Sequence, residues 1–293
     1  MHRLHPWART VATSVTTLAC LTSALAAQQG SDRTPRGDSL RQAQRLDIDG
    51  KHAEARAIFQ KLIDNAPDPA AKAVAQRRMA MSHGFEGHCS ETVRYEEMVI
   101  DYCKTREKEE PQNAFYQEGE MANEAARICI DAGDLATAER MYKRGSELGL
   151  EEPDPKTHPK SLWDYRLAHA RARIAARKGD KAEAQKQVAE ARKILDSDPA
   201  MAANQERFYP YLTGYVAFYT NDLATAQTEL TKALAMQGNS TDPFMTALMG
   251  MVHEKMGHAS VAKEWYQKAY DLATQHTPPS AFARPFARKK LGL

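Results

Sequence analysis

The chain has 293 residues, and its 40 Lys and Arg nearly balance 38 Asp and Glu, so no bulk charge draws it to nucleic acid or to an anionic membrane. Aromatic residues make up 8 % of it and Gly and Pro are sparse, while Ala and Gln are abundant. That composition favours helices over strands.

The first residues, MHRLHPWARTVATSVTTLACLTSALAAQQG, place Arg3 and Arg9 before an uncharged stretch from Val11 to Leu25 and end on Ala24-Leu25-Ala26, a small-x-small cleavage pattern. The pattern predicts a secretory signal over residues 1–26 and export to the periplasm or cell envelope of a bacterium. The run is short and broken by threonines, which disfavours a permanent membrane helix. A lipid anchor on Cys20 is the one alternative that would tie the chain to a membrane. Without Arg3 and Arg9 the remaining chain holds 38 basic and 38 acidic residues. Residues 27–37 are polar and are expected to be disordered.

From residue 38 to 276 the chain repeats itself. DLATA occurs in GDLATAERMY and again in NDLATAQTEL. In one frame, a turn residue (Gly50, Gly133, Gly179, Asn221, Gly257) is followed five positions on by Ala55, Ala138, Ala184, Ala226 or Ala262. Four positions later stands a bulky residue: Phe59, Tyr142, Val188, Leu230 or Tyr266. Gly and Asn accept the left-handed conformation that ends a helix. Positions i and i+4 share a helical face, so the small residue admits a neighbouring helix and the large one fills the gap beyond it. Seven positions before each turn lies another small residue: Ala43, Ala126, Ala172, Gly214 or Gly250. The unit is a helical hairpin. A sixth copy, EGHCSETVRYEEMVIDYC, fits the frame poorly, and its segment HGFEGHC reads as an extended interhelical turn. The stretches KTREKEEPQ, LEEPDPKTHPK and LDSDPAMAANQ read as loops between units starting near 36, 119, 165, 207 and 243.

This arrangement resembles the tetratricopeptide repeat, most closely in DGKHAEARAIFQKLIDNAP and in ALMGMVHEKMGHASVAKEWYQKAYDLA. The resemblance implies an all-α, right-handed α-solenoid of five to six hairpins, with PPSAFARPFARKKLGL over residues 277–293 as a C-terminal capping helix. In that cap Phe282, Phe286 and Leu291 would cover the array's end and Arg288, Lys289 and Lys290 would face water.

The resemblance also implies a binding groove lined by the first helix of each unit. Its groove positions fall on Arg166, His169, Arg173 and Arg177, then on Phe208, Tyr211, Tyr215, Phe218 and Tyr219, and then on Met251. Basic residues beside aromatic ones suit a protein or peptide ligand that offers acidic groups or a C-terminal carboxylate. Two other readings stand beside it: the rings pack between helices, or they hold a glycan.

Cys89, Cys103 and Cys129 remain after the leader. In an oxidising compartment one pair is expected, and antiparallel packing of the helices that carry them favours Cys89 with Cys129. His83, Glu86, His88 and Cys89 match no familiar zinc spacing, so no metal site is assigned. Glycine-rich phosphate loops, nucleophile elbows and His-Glu-x-x-His are absent from the sequence, and no cofactor is expected. The sequence thus points to a non-catalytic exported scaffold binding a protein or peptide. A peptidoglycan-associated module and an accessory subunit of an envelope enzyme are the alternatives.

Overall fold

The computed structural model describes residues 34–293. The expected signal, Cys20 and most of the segment expected to be disordered lie outside this span. Among the described residues every regular element is helical, and six consecutive hairpins follow one another. These are α1 (Pro35–Ile48) with α2 (His52–Asp64), α3 (Pro69–Phe85) with α4 (Cys89–Lys104), and α5 (Pro111–Ala132) with α6 (Leu135–Leu150). Then come α7 (Lys160–Lys178) with α8 (Lys181–Ser197), α10 (Tyr209–Tyr219) with α11 (Leu223–Ala235), and α12 (Pro243–Lys255) with α13 (Ala259–Leu272). A short α9 (Pro199–Gln205) and a 3-10 turn (Glu206–Phe208) precede α10, and α14 (Pro278–Leu291) closes the chain. Each helix packs chiefly on its hairpin partner and the next hairpin, the contact pattern of a solenoid.

All six interhelical turns pass through a left-handed residue, with φ from 66° at Asn221 to 90° at Gly133. The sixth is Gly87, the turn of the poorly fitting copy, so that copy is a complete hairpin. Its turn is short, because α3 runs through His83 to Phe85 and α4 starts at Cys89. The extended HGFEGHC turn expected from the sequence is therefore corrected. In the frame, Thr92 takes the place of the small alanine and Glu96 that of the bulky residue, and both are fully buried. The hydroxyl of Thr92 donates to the Ala80 carbonyl at 3.2 Å, which binds α4 to α3 where a methyl would only pack.

The two DLATA copies now have a physical role. Asp134 and Asp222 cap α6 and α11 by accepting the amide hydrogens of Thr137 at 3.0 Å and Thr225 at 3.2 Å. Ala138 and Ala226 are fully buried against the partner helix. The small and large positions interlock: a Cβ built on Gly214 would lie 2.8 Å from Leu230, and one on Gly250 would lie 2.6 Å from Tyr266.

Four boundaries differ from the expectation. Pro35 starts α1 inside the segment expected to be disordered, because Thr34 caps it and Pro fits the first turn. First helices α5 and α7 start at Pro111 and Lys160, earlier than the repeat frame placed them, so they are longer than the frame allows. LDSDPAMAANQ is helical over α9, with Asp198 capping it through the Met201 amide.

Helix α14 covers the last hairpin through Phe282, Phe286 and Leu291, as the sequence suggested. It also packs on α3 and α5, the first helices of the second and third hairpins, so the array closes on itself. Polar contacts fix the closure. Arg284 donates to the Ile48 carbonyl at 3.0 Å, Arg288 to the Asp49 carbonyl at 2.9 Å, and Arg78 to the His276 carbonyl at 3.1 Å. The His276 ring donates to the fully buried Asp47 at 2.8 Å. Arg288 is thus a tether to the first hairpin and not a purely solvated charge.

Cys89 and Cys129 form a disulfide that joins α4 to α5, the pair favoured from the sequence. Cys103 is free and buried, and burial pushes its thiol up to about 12, so it packs as a small apolar residue.

Candidate functional site

First helices α5, α7, α10 and α12 turn one face inward, and there they enclose a cavity of about 470 Å³. The 3-10 turn, Tyr142 of α6 and the Pro278-Pro279 step at the start of α14 complete its walls. Of the ten groove residues expected from the sequence, Arg166, His169, Arg173, Phe208 and Tyr211 line this cavity.

The other five serve packing. Tyr215 is fully buried and Phe218 is 3 % exposed, both inside the core between α10, α11 and α12. The Tyr219 hydroxyl accepts a hydrogen bond from Arg177 at 3.0 Å, and its ring lies 4.6 Å from that of Tyr215. Arg177 is thereby tied up as a structural partner. Met251 fills the seam between the cores of the last two hairpins. The Tyr211, Tyr215 and Tyr219 face is therefore no open platform for a sugar ring.

Four arginines line the cavity: Arg127, Arg166, Arg173 and Arg207. Arg166 is ion-paired with Glu120 at 2.6 Å and lies over the Trp163 ring. Arg173 is 7 % exposed and donates to the Tyr142 hydroxyl at 2.7 Å and the Tyr211 hydroxyl at 3.5 Å. Two phenols hold it, so its charge is buried without a carboxylate against it. Arg207 lies over the Phe208 ring. The side chains of Arg127 and Arg207 make no hydrogen bond or ion pair among the described residues.

The cavity's acids offset these charges incompletely. Burial pushes the Asp131 carboxyl up to about 7 against the opposing pull of Arg173, Arg177 and Arg127. Its Oδ1 is buried without a partner. Asp242 is raised by burial too, although as the N-cap of α12 it accepts the Met245 amide at 2.8 Å. His169 is 8 % exposed, and burial together with the charge of Arg173 holds its imidazole well below the usual range, so it is neutral. Its Nε2 has no hydrogen-bond partner in the protein.

Arg127, Asp131 and Asn123 had a signal in the sequence. The groove frame, applied to the unit starting near 119, falls on these three residues as it does on Arg166, His169 and Arg173 one unit later. Tyr142 was legible only as a packing residue. Arg207 and the Pro278-Pro279 wall reach the cavity through the irregular 3-10 turn and the closure by α14, which no repeat frame contains.

Among the described residues no group of three or more His, Cys, Asp or Glu side chains is arranged to hold a metal ion, and no helix is long and apolar enough to cross a membrane. A family model described as Tetratricopeptide repeat matches residues 247–276, which covers most of α12 and all of α13. No curated protein sequence matches the chain.

Proposed function

We propose, on the premise that the chain belongs to the tetratricopeptide-repeat family, that it is a non-catalytic scaffold exported to the bacterial cell envelope. Repeats of this kind bind other proteins, and the inward face of the first helices is the surface offered here. The observation that carries this reading is the set of arginines on that face without carboxylate partners, which suits a partner presenting acidic groups. Closure by α14 covers α3, and the partner engages the cavity-lining arc from α5 to α12.

Export is supported by the arginine-led leader of the sequence and by the Cys89–Cys129 disulfide, a bond that persists in oxidising compartments. The test is affinity capture from cell-envelope extract. The reading predicts a protein that elutes with added salt and is captured poorly by an Arg127→Ala, Arg207→Ala variant. Equal capture by variant and parent, or capture that salt leaves untouched, would refute it.

A further inference from the structure

The cavity has three properties that a surface for a passing peptide does not require. Its volume, about 470 Å³, lies within the range of roughly 300–1,000 Å³ typical of small-molecule sites. Its walls come from seven elements, α5, α6, α7, α9, the 3-10 turn, α10 and α12, together with the start of α14. Two of its polar residues are deep: Arg173 and His169 are more than nine-tenths buried.

The ion pairs leave part of the cavity's charge unmatched. Glu120 pairs with Arg166, and Asp242 accepts the amide at the start of α12. Arg127, Arg173 and Arg207 stand there without a salt bridge, beside Asp131 and Asp242, two carboxyls that burial pushes up. Beside these groups stand the rings of Phe208, Phe244 and Tyr211, the last two meeting edge to face at 90°. Phe244 is fixed from behind by Phe282 of α14 at 4.8 Å between ring centres.

We infer that this cavity binds a small organic acid, with its anionic group on Arg127 and Arg173 and a ring or other flat apolar body against Phe208 and Phe244. A planar guanidinium can grip a carboxylate through two parallel hydrogen bonds. The inference goes beyond the scaffold reading and does not depend on it. A ligand that bridges α5, α7 and the 3-10 turn would also brace the inward face on which a partner docks.

The test uses the purified full chain and no partner. Calorimetric titration compares 2-naphthylacetate, its neutral amide, inorganic phosphate, and an acetylated tetrapeptide ending in phenylalanine with a free carboxylate. The inference predicts that the naphthyl acid binds at least about ten-fold more tightly than its amide, the least a charged hydrogen bond contributes. It also predicts that Arg127→Gln removes that difference while Phe208→Ala weakens acid and amide alike. Arg127 is solvent-accessible and without a partner, so its replacement leaves the fold intact, which an unchanged melting temperature verifies. Equal binding of acid and amide, binding of phosphate as tight as the acid, or no binding by either naphthyl compound would overturn it. Tighter binding of the peptide would also overturn it, while supporting the scaffold.

Discussion

Replacing Asp47 by Ala should open the closure between the two ends of the array. Asp47 is 1 % exposed, and its carboxylate accepts from His276 at 2.8 Å, His52 at 2.9 Å and Ser82 at 2.9 Å. Acceptor and donors bring four segments together: the end of α1 meets α2, α3 and the segment before α14. Removing the carboxylate leaves three donors unpaired in a buried site, with Arg78 beside them still charged, although burial and Arg77 bring it down to about 10. Losing one partner of such a buried charged cluster costs about 3–5 kcal/mol, against roughly 5–15 kcal/mol for a whole domain. Asp47→Asn keeps one acceptor and should cost about half as much. Urea unfolding measures the loss, and hydrogen exchange should show the amides of α14 losing protection first. The pH dependence has a defined sign. Hydrogen bonds to His276, His52 and Ser82 outweigh burial and hold Asp47 below its ordinary value, while burial holds His276 below its own. Both groups are depressed in the folded state, so the His276 contribution is full above its unfolded value of about 6.5 and is lost as pH falls below it, while the Asp47 contribution is lost only below its own unfolded value of about 3.9. A destabilisation under about 1 kcal/mol with unchanged exchange in α14 would refute the closure as a structural device.

Three further outcomes follow from the packing. Glu96 is fully buried at the position where the other hairpins carry a bulky residue, neither of its oxygens has a partner, and burial and Glu124 push its carboxyl well up. Being raised, it favours the fold fully below the unfolded value of about 4.3 and progressively less as pH rises, so Glu96→Met should stabilise the protein at pH 7 by about 1–3 kcal/mol and flatten that decline; denaturant curves at pH 5 and 7 check both. Removing the Cys89–Cys129 bond, which closes a loop of 40 residues, should cost about 4 kcal/mol by loop entropy, seen as a lower midpoint for a double Cys→Ala variant. Gly250→Ala drives a methyl to within 2.6 Å of the Tyr266 ring and should cost about 1–3 kcal/mol, and a variant that melts like the parent would show that the two helices are not in interlocked contact.

How much of this was legible depended on whether a residue obeys the repeat. The turn residues, the alanine contacts and the large partners recur at fixed spacing, so Gly133, Ala138 and Tyr142 could be assigned from the sequence and stand in those roles. The second hairpin escaped because Thr92 and Glu96 replace the apolar signature with polar side chains that hydrogen bonding and protonation allow to be buried. Groove positions were half legible. The frame fixes which face of a first helix turns inward, and that was enough for Arg166, His169 and Arg173. It does not fix how closely neighbouring hairpins pack, and on α10 tight packing turned Tyr215 and Phe218 into core. Closure was illegible because its partners, Asp47 and His276, lie 229 positions apart and neither is one of the recurring turn, small or bulky positions of the repeat.

The central claim is that the inward face of the first helices is the binding face. Its most direct test is quantitative capture of envelope partners by the parent, by an inward Arg127→Ala, Phe208→Ala variant, and by an outward Lys186→Ala, Lys193→Ala variant whose residues lie exposed on α8. The account predicts that the inward variant loses at least about ten-fold in affinity, the worth of one charged hydrogen bond, while the outward variant binds as the parent does. Loss confined to the outward variant, or equal binding by all three, would contradict it.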